Sequence, residues 1–255
     1  MTRLMARFKA SGHVLAYEHT PGTGPTTVFL PGFRSDMTGS KALAVESWCQ
    51  ARGTPCLRLD YSGHGASEGA FTDGTIGQWT ADALHVIDTA TEGPLLLVGS
   101  SMGGWIALLV ALARPARTAA VLGIAAAPDF TETLMWDAMM PQERATLAHE
   151  GVLMAPSQYG DPTPITLALI KDGRRHLLLQ APIPILCPVR LLQGQRDPDV
   201  PWETALRIAD RLDSQNVQIT LIKDGDHRLS RPQDLAVLQR LHATLLDTLA
   251  ASPQG

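Results

Sequence analysis

The sequence predicts an α/β domain in which a mostly parallel, eight-stranded sheet carries helices on both faces. Short apolar runs alternate along the chain with longer segments whose apolar residues recur at helical spacing. The runs LLLV (95–98) and VLGIA (121–125) are apolar at nearly every position, as expected of strands buried on both faces. Parallel strands need a long return connection, and the intervening helices supply it.

The first half of the chain contains most of these elements. Two short strands in FKASGHVLAYEH meet at Ser11–Gly12, and a third strand, TTVFLPGF, ends at Pro31–Gly32. The pattern then predicts, in order, a helix over 37–52 that Gly53 terminates, a strand over 55–60, a helix over 75–91, a strand over 94–100, a helix over 102–114 and a strand over 119–127.

The alternation breaks for about 55 residues after Pro128. This stretch is helical in places and interrupted by prolines in others, and it contains no convincing parallel strand. Strands over 187–194 and 216–227 and helices over 201–212 and 233–249 then resume the pattern. We therefore expect residues 1–128 and 184–255 to form the core and residues 129–183 to form an inserted lid.

Composition excludes several classes of function. Hydrophobic residues make up 45% and charged residues 18% of the chain, so it should fold around its own core. The net charge of -4 is spread along the length, which argues against nucleic acid or a membrane surface as partner. No segment has the roughly 18 apolar residues of a membrane span. Three cysteines without C-x-x-C spacing argue against a disulfide framework and a zinc site.

The motif G-x-S-x-G stands between a predicted strand and a predicted helix as Gly99-Ser100-Ser101-Met102-Gly103. A serine nucleophile in that position needs a strained, tight turn, and glycines two residues away on either side leave room for the chain. The turn lifts the hydroxyl above the sheet at a helix N-terminus, which favours negative charge. We predict that Ser101 is a nucleophile; the flanks of Ser100 lack the glycines.

A serine nucleophile needs a base and an orienting carboxylate, which this arrangement supplies in the chain order Ser, Asp or Glu, His. His227 follows the last predicted strand, so we predict that it is the base. Asp197 follows the preceding strand in the sequence GQRDPD and is the preferred acid. Asp199, which leads into the next helix, and Asp129, which ends the strand before the insertion, remain alternatives.

Two backbone N–H groups should stabilise the oxyanion of an acyl-transfer intermediate. We predict that they belong to Met102, next to the nucleophile, and to Phe33, in the tight turn after the strand TTVFL. The mechanism needs no metal and no organic cofactor. The segment DYSGHGAS (60–67) contains a histidine between glycines, but no second ligand lies at useful spacing, so we interpret it as a structural loop.

Five motifs, LPGF, DYSGHGAS, GSSMGG, GQRD and GDH, resemble the α/β-hydrolase superfamily in order and spacing across nearly the whole chain. Within it, the stretches KALAVESWC, GVLMAPSQY, APIPILCPVRLLQG and DVPWETALRIADRL are similar to a branch with palmitoyl-protein thioesterase and acyl-glucuronide esterase activity. The resemblance implies the α/β-hydrolase fold, a serine hydrolase acting through an acyl-enzyme, and Ser101, Asp197 and His227 as the triad.

The expected substrate is a small-molecule or acylated-protein ester or thioester, because both share one tetrahedral intermediate. A lactonase or peptidase of the same fold and a non-catalytic binding protein remain alternatives; an epoxide hydrolase or dehalogenase normally has Asp at the position of Ser101.

Apolar residues of the insertion give the first expectation about specificity. Trp136, Met139 and Met140, together with Trp105 in the helix after Ser101, are candidates for binding an acyl chain. The same residues are equally well suited to fastening the insertion to the core. Because no organellar leader precedes the first predicted strand, we expect a cytoplasmic location.

Overall fold

A computed structural model describes residues 4–7, 12–156 and 161–251. Its strands are β1 (Leu4–Arg7), β2 (Val14–Thr20), β3 (Thr26–Leu30), β4 (Cys56–Leu59), β5 (Leu95–Ser100), β6 (Thr118–Ile124), β7 (Val152–Ala155), β8 (Thr163–Thr166), β9 (Val189–Gly194) and β10 (Val217–Ile222). Its helices are α1 (Ser40–Arg52), α2 (Ile76–Ala90), α3 (Met102–Ala113), α4 (Pro141–Glu150), α5 (Leu167–Gly173), α6 (Glu203–Arg211) and α7 (Pro232–Ala251).

The main sheet has eight strands in the order β1-β2-β4-β3-β5-β6-β9-β10. The six strands from β4 to β10 in this order run parallel, whereas β1 pairs antiparallel with β2 and β2 antiparallel with β4. The predicted mostly parallel, eight-stranded sheet is confirmed. Ser11, in the turn predicted between the first two strands, lies outside the described residues. The carboxyl ends of all parallel strands open onto one edge, where ligand sites of such sheets form.

Helices cover both faces of the sheet because its strands are apolar on both sides. In β5, Leu95 and Leu97 belong to a core packed against α2, α3 and α6. Leu96 and Val98, which point to the opposite face, belong to a second core packed against α1 and α7. A charged residue in either pair would leave an unpaired charge in the interior.

Element boundaries differ from the sequence prediction mainly at the carboxyl edge of the sheet. The first helix begins at Ser40 rather than at 37, because the Asp36 carboxylate accepts hydrogen bonds from the Thr38 N–H and hydroxyl at 2.7 and 2.6 Å and holds a turn. Strand β6 ends at Ile124 because Ala125 has a φ of 45°. A turn held by a side chain and a residue with a positive φ leave little trace in the spacing of apolar residues, so the sequence prediction misplaced these two boundaries.

The segment between β6 and β9 forms elements outside the main sheet. It contains a π-helical turn (Thr131–Trp136), α4, the antiparallel pair β7 and β8, and α5. Met139, Leu147, Ile165 and Ile170 form a small apolar cluster of its own. The sequence prediction found no parallel strand here, which agrees with the structure, but it missed the antiparallel pair because each strand has only four residues.

No helix of the described chain combines the length and apolarity needed to cross a membrane.

Candidate active site

Ser101 lies at the junction of β5 and α3, where the chain turns sharply. Its φ of 55° and ψ of −119° are rare for an L-residue. Three backbone hydrogen bonds hold this conformation: Ser101 N–H donates to Ile124 at 2.9 Å, and the Ser101 carbonyl accepts from Gly104 and Ala127 at 2.8 and 3.1 Å. The turn places the hydroxyl above the carboxyl edge of the sheet, at the N-terminus of α3.

The glycines around Ser101 are required because backbone segments cross with no room for side chains. A Cβ on Gly99 would lie within 3.0 Å of the Gly103 carbonyl, and a Cβ on Gly103 would lie equally close to the carbonyl oxygen of Leu30 in β3. A Cβ on Gly104 would clash with Ala126, just after β6. The start of α3 therefore packs directly on the ends of the two strands that flank β5.

Ser101, His227 and Asp197 form a continuous hydrogen-bonded chain. The Ser101 Oγ lies 3.1 Å from His227 Nε2, and His227 Nδ1 lies 2.8 Å from Asp197 Oδ2. The Asp197 side chain is fully buried, whereas 18% of the His227 side chain is exposed. A carboxylate can only accept here, so Nδ1 carries the proton and Nε2 is left to accept the proton of the serine hydroxyl.

Asp197 and His227 meet because their loops follow the neighbouring parallel strands β9 and β10. The Arg196 N–H donates to the Gly225 carbonyl at 2.9 Å, which joins the two loops directly. Gly194 allows this approach, since a Cβ there would collide with the Gly225 carbonyl. Both loops thus reach the carboxyl edge of the sheet, where His227 contacts Ser101 after β5.

The Asp197 carboxylate is oriented by four donors. Its Oδ1 accepts from the Asp199 and Val200 N–H groups, each at 2.8 Å, and its Oδ2 accepts from Gln193 Nε2 at 3.0 Å as well as from His227. Such a saturated carboxylate cannot rotate without losing several bonds. The alternative acid Asp199 contributes its backbone N–H to this arrangement, and its side chain lines the neighbouring cavity.

The other alternative acid, Asp129, has a different set of partners. Its carboxylate accepts from the Leu178 and Leu179 N–H groups at 2.7 and 2.9 Å, which ties the start of the segment between β6 and β9 to its end. Burial, as the largest cause, raises the pKa of the Asp129 carboxyl above its ordinary value. Among the hydrogen bonds of the described residues, none joins the Asp129 carboxylate to His227.

Asp197, Asp199 and His227 bring three potential metal-binding atoms within 4.8 Å of one another. Both imidazole nitrogens and both Asp197 oxygens already take part in hydrogen bonds, so a cation would have to displace them. We derive no metal-dependent step from this group.

The two predicted oxyanion donors lie on either side of the Ser101 turn. Met102 is the first residue of α3, where an N–H has no partner within the helix. The loop carrying Phe33 lies against Ser101, since a Cβ on Gly32 would lie 3.3 Å from the Ser101 Cβ. Within residues 4–7, 12–156 and 161–251, neither N–H has a hydrogen-bond acceptor, so both are free to bind a ligand oxygen.

A cavity of about 730 Å³ opens above Ser101 and His227. Its lining includes apolar side chains, among them Phe33, Phe130, Leu134, Met135 and Ile165. It also includes polar and charged side chains, among them Arg34, Asp36, Lys41, Asp199 and Arg228. The volume lies within the range of small-molecule pockets, and the mixed lining suits a molecule with both apolar and polar parts.

The structure does not bring the four predicted acyl-binding residues into this cavity. Trp105 is fully buried in the core, and its Nε1 donates to the His176 carbonyl at 3.0 Å. Met139 packs in the small cluster between β6 and β9, and Arg144 and Arg174 stack on the Trp136 ring. Met140 is exposed away from the cavity. Trp105, Trp136 and Met139 therefore pack against other parts of the protein, which is the alternative role that the sequence left open.

Leu134 and Met135, the neighbours of Trp136, line the cavity instead. Sequence analysis could not separate these residues, because the segment forms a π-helical turn whose facing differs from that of an α-helix. Only the contacts of the turn with the core decide which apolar side chains point to the catalytic edge.

The segment DYSGHGAS forms a buried loop after β4, and His64 is 4% exposed within it. Burial, as the largest cause, lowers the pKa of His64 to about 4. The imidazole is therefore neutral at neutral pH. The aromatic rings of Tyr61, Phe71 and Trp79 surround it, with centroid distances of 5.0 to 5.6 Å.

The fold and the hydrogen-bonded serine define the class of protein. Residues 27–238 match the model of the alpha/beta hydrolase family, so the chain belongs to this family and is a hydrolase.

Proteins of similar sequence and structure indicate a narrower group within the alpha/beta hydrolase family. The human protein named mitochondrial palmitoyl-protein thioesterase ABHD10 is 40% identical over 238 residues, covering 92% of this chain and 78% of the relative. The structure of alpha/beta hydrolase domain-containing protein 10 from mouse is 38% identical with a TM-score of 0.90, covering 98% of this chain and all of that chain. A structure from Agrobacterium vitis S4 is 40% identical with a TM-score of 0.91, covering 96% and 98%.

The expected cytoplasmic location is wrong. Relatives from human, orangutan and mouse, 40 to 41% identical, are all named mitochondrial. The expectation rested only on the residues before the first predicted strand, and the names of these relatives overturn it.

Replacement of Gly103 by Ala should destabilise the protein strongly. The added Cβ would meet the backbone carbonyls of Leu30 and Pro31, which cannot move without separating α3 from β3. We expect a loss of about 3 kcal/mol, seen as a melting temperature lower by roughly 6 to 12 °C. Gly39→Ala is the control, because its φ is −59° and its nearest neighbour would lie 3.6 Å away. Equal shifts for both variants would contradict the proposed crowding.

The buried His64 should make stability fall as the pH falls. Its pKa is lowered from 6.5 to about 4 in the folded state, so protons bind the unfolded chain more tightly. Its stabilising contribution is therefore present above pH 6.5 and is lost between pH 6.5 and about 4. Urea unfolding of the wild type should lose about 2 kcal/mol more between pH 7 and pH 5 than unfolding of His64→Gln. Parallel pH profiles would contradict this assignment.

Proposed function

We propose that this protein hydrolyses carboxylic esters and thioesters of acylated substrates through an acyl-enzyme on Ser101. The observation that carries the proposal is the hydrogen-bonded chain from Ser101 through His227 to Asp197 at the strained turn after β5. The similar proteins named palmitoyl-protein thioesterase support the choice of acyl substrates.

In the first step, His227 Nε2 removes the proton of Ser101 as Oγ attacks the carbonyl carbon of the substrate. Asp197 holds the imidazole in the required tautomer and stabilises the imidazolium that forms. The carbonyl oxygen becomes negative, and we assign its stabilisation to the N–H groups of Phe33 and Met102. His227 then returns the proton to the leaving oxygen or sulfur, and the acyl group remains on Ser101.

In the second step, water takes the place of the leaving group. His227 removes a proton from the water as it attacks the acyl-enzyme, and the same N–H groups stabilise the second tetrahedral intermediate. Collapse of this intermediate releases the carboxylic acid and restores the serine hydroxyl. The scheme uses groups of this chain, the substrate and one water molecule.

The mixed lining of the cavity suggests how a substrate is bound. We assign the acyl chain to the apolar side chains of Leu134, Met135 and Phe130, and the leaving group to the charged side chains of Arg34 and Arg228. Residues 129–183 act as the lid of this site in our proposal, because the π-helical turn and β8 contribute Leu134, Met135 and Ile165 to the lining.

Loss of the proposed nucleophile should abolish turnover. We expect Ser101→Ala to lower kcat on the order of 10⁶-fold and Asp197→Asn about 10⁴-fold, measured by thiol release from a medium-chain acyl thioester. Asp129→Asn is the matched control, since its carboxylate bonds the backbone of Leu178 and Leu179 and should leave kcat within about fivefold.

Labelling with a fluorophosphonate probe complements the rates. The wild type should label and Ser101→Ala should not. Labelling of Ser101→Ala would overturn the assignment of the nucleophile, and an unlabelled wild type without esterase or thioesterase activity would favour a binding protein.

Chain-length preference tests the assignment of the apolar lining. Leu134→Ser should lower kcat/KM about tenfold or more for a C16 acyl thioester, because a lost apolar contact costs roughly 1 to 3 kcal/mol of transition-state binding. The same variant should leave the C2 thioester within about twofold. Met140→Ser is the control, because Met140 is 66% exposed outside the cavity and should change neither substrate. An equal loss for C2 and C16 would refute the assignment.

A further inference from the structure

The loop after β3 (residues 31–37), which carries the proposed oxyanion donor Phe33, is held along its length by the loop after β4 (residues 60–64). Three hydrogen bonds join them: Tyr61 Oη donates to the Pro31 carbonyl at 3.2 Å, the Arg34 N–H donates to His64 Nε2 at 3.3 Å, and the Met37 N–H donates to Asp60 Oδ1 at 2.7 Å. The middle contact is made by a neutral imidazole to the residue immediately after Phe33.

The partners of His64 determine its tautomer. Its Nδ1 lies 3.2 Å from the Ser62 carbonyl, which can only accept, so Nδ1 carries the proton. Its Nε2 then has a lone pair for the Arg34 N–H, which can only donate. A histidine is suited to this position because it can donate and accept across a short gap between two backbone segments.

We propose that His64 is a positioning residue for the oxyanion site: its Nε2 fixes the peptide between Phe33 and Arg34, and this in turn limits rotation of the adjoining Gly32–Phe33 peptide, so that the Phe33 N–H stays directed at the substrate carbonyl. This inference rests on the proposed function, since it assigns the orientation of a donor in that mechanism. It adds a role for a segment that the sequence suggested to be only a structural loop.

The backbone at Arg34 explains why an outside hydrogen bond is needed. Arg34 has a φ of 59°, which costs free energy for a residue with a Cβ and persists only where neighbours hold it. The Ser35 N–H closes the turn on the Gly32 carbonyl at 3.0 Å, and the Arg34 guanidinium binds the Asp161 carbonyl and Thr163 Oγ1 at 2.9 and 2.7 Å. The Arg34 N–H of this strained peptide donates to His64, whose side chain is buried.

The residues that contact His64 are themselves held in place by hydrogen bonds. The Ser62 N–H and hydroxyl donate to the fully buried Asp82 at 2.8 and 2.6 Å, and Trp79 Nε1 donates to the Ser62 carbonyl at 3.1 Å. The Phe33 ring packs edge-on to Phe71 at 4.9 Å, within the aromatic group that surrounds His64. Movement of the imidazole is therefore opposed on several sides, as a positioning role requires.

His64→Leu and His64→Gln test the role, because only glutamine retains a side-chain acceptor for the Arg34 N–H. His242→Leu is the matched control: His242 is also buried and bonds Thr27 Oγ1 at 3.0 Å, on the face of the sheet covered by α7. Each variant is measured for kcat and KM with an acyl thioester and for the inhibition constant of an alkyl trifluoromethyl ketone, which forms a tetrahedral adduct on a serine.

We expect His64→Leu to lower kcat on the order of 10²-fold with KM within about threefold, and to weaken the ketone by a similar factor, because only the tetrahedral state uses the oxyanion donors. His64→Gln should recover to within about tenfold of the wild type, and His242→Leu should stay within about threefold. Loss in His64→Leu no greater than in His242→Leu, or a loss confined to KM, would overturn the inference.

Hydrogen–deuterium exchange of the amides of residues 31–37 separates this inference from the proposed function. Faster exchange in His64→Leu than in His242→Leu is expected. A wild type without hydrolase activity would overturn the proposed function, even if the loop of residues 31–37 exchanges faster in His64→Leu. An active wild type whose loop exchange and kcat are unchanged by His64→Leu would overturn only the positioning role.

If His64→Leu does not fold, Tyr61→Phe removes one hydrogen bond to the same loop with little change in volume. This variant should lower kcat and leave KM unchanged. An unchanged kcat in Tyr61→Phe would also count against the positioning role.

Discussion

The close crossing of the backbone around Ser101 is the constraint on which the rest of the site depends. Helix α3 starts so near the end of β3 and Ala126 that Gly103 and Gly104 have no room for a Cβ, and a Cβ on Gly99 would meet the start of α3 itself. This crossing forces the positive φ of Ser101 and directs its hydroxyl above the sheet. Because the backbone is held by neighbouring strands, the strain is sustained by the whole core and not by local contacts alone.

From this point the sheet topology assembles the remaining groups. The loops after β9 and β10 lie side by side because these strands are parallel neighbours, and they bring Asp197 and His227 together although 30 residues separate them. The loop after β3 arrives from the other side of β5 and places Phe33 opposite. Four strand ends thus converge on one small volume, as expected of the carboxyl edge of a parallel sheet.

The segment between β6 and β9 adds the features on which specificity would depend. Within the segment, the buried carboxylate of Asp129 ties its start to its end, and Arg174 pairs with Glu132 and stacks on Trp136. The hydrogen bond from Trp105 Nε1 to the His176 carbonyl joins it to the core. Its contribution to the cavity comes from a π-helical turn and a short strand pair. Such a segment can change its lining residues without disturbing the hydrogen-bonded chain beneath it.

The sequence by itself determined the α/β class, the eight strands and the placement of Ser101, Asp197 and His227 at strand ends, because apolar periodicity and glycine spacing report local backbone geometry directly. Sequence analysis preferred Asp197 as the acid and kept Asp129 and Asp199 as alternatives, and the lid residues that it named as acyl-binding candidates do not line the cavity. Only the tertiary structure shows which carboxylate bonds His227 and which lid side chains line the cavity, because hydrogen-bond partners and the facing of an irregular turn depend on contacts between residues far apart in the chain. The contact of His64 with Arg34 is of the same kind: no spacing in the sequence encodes it.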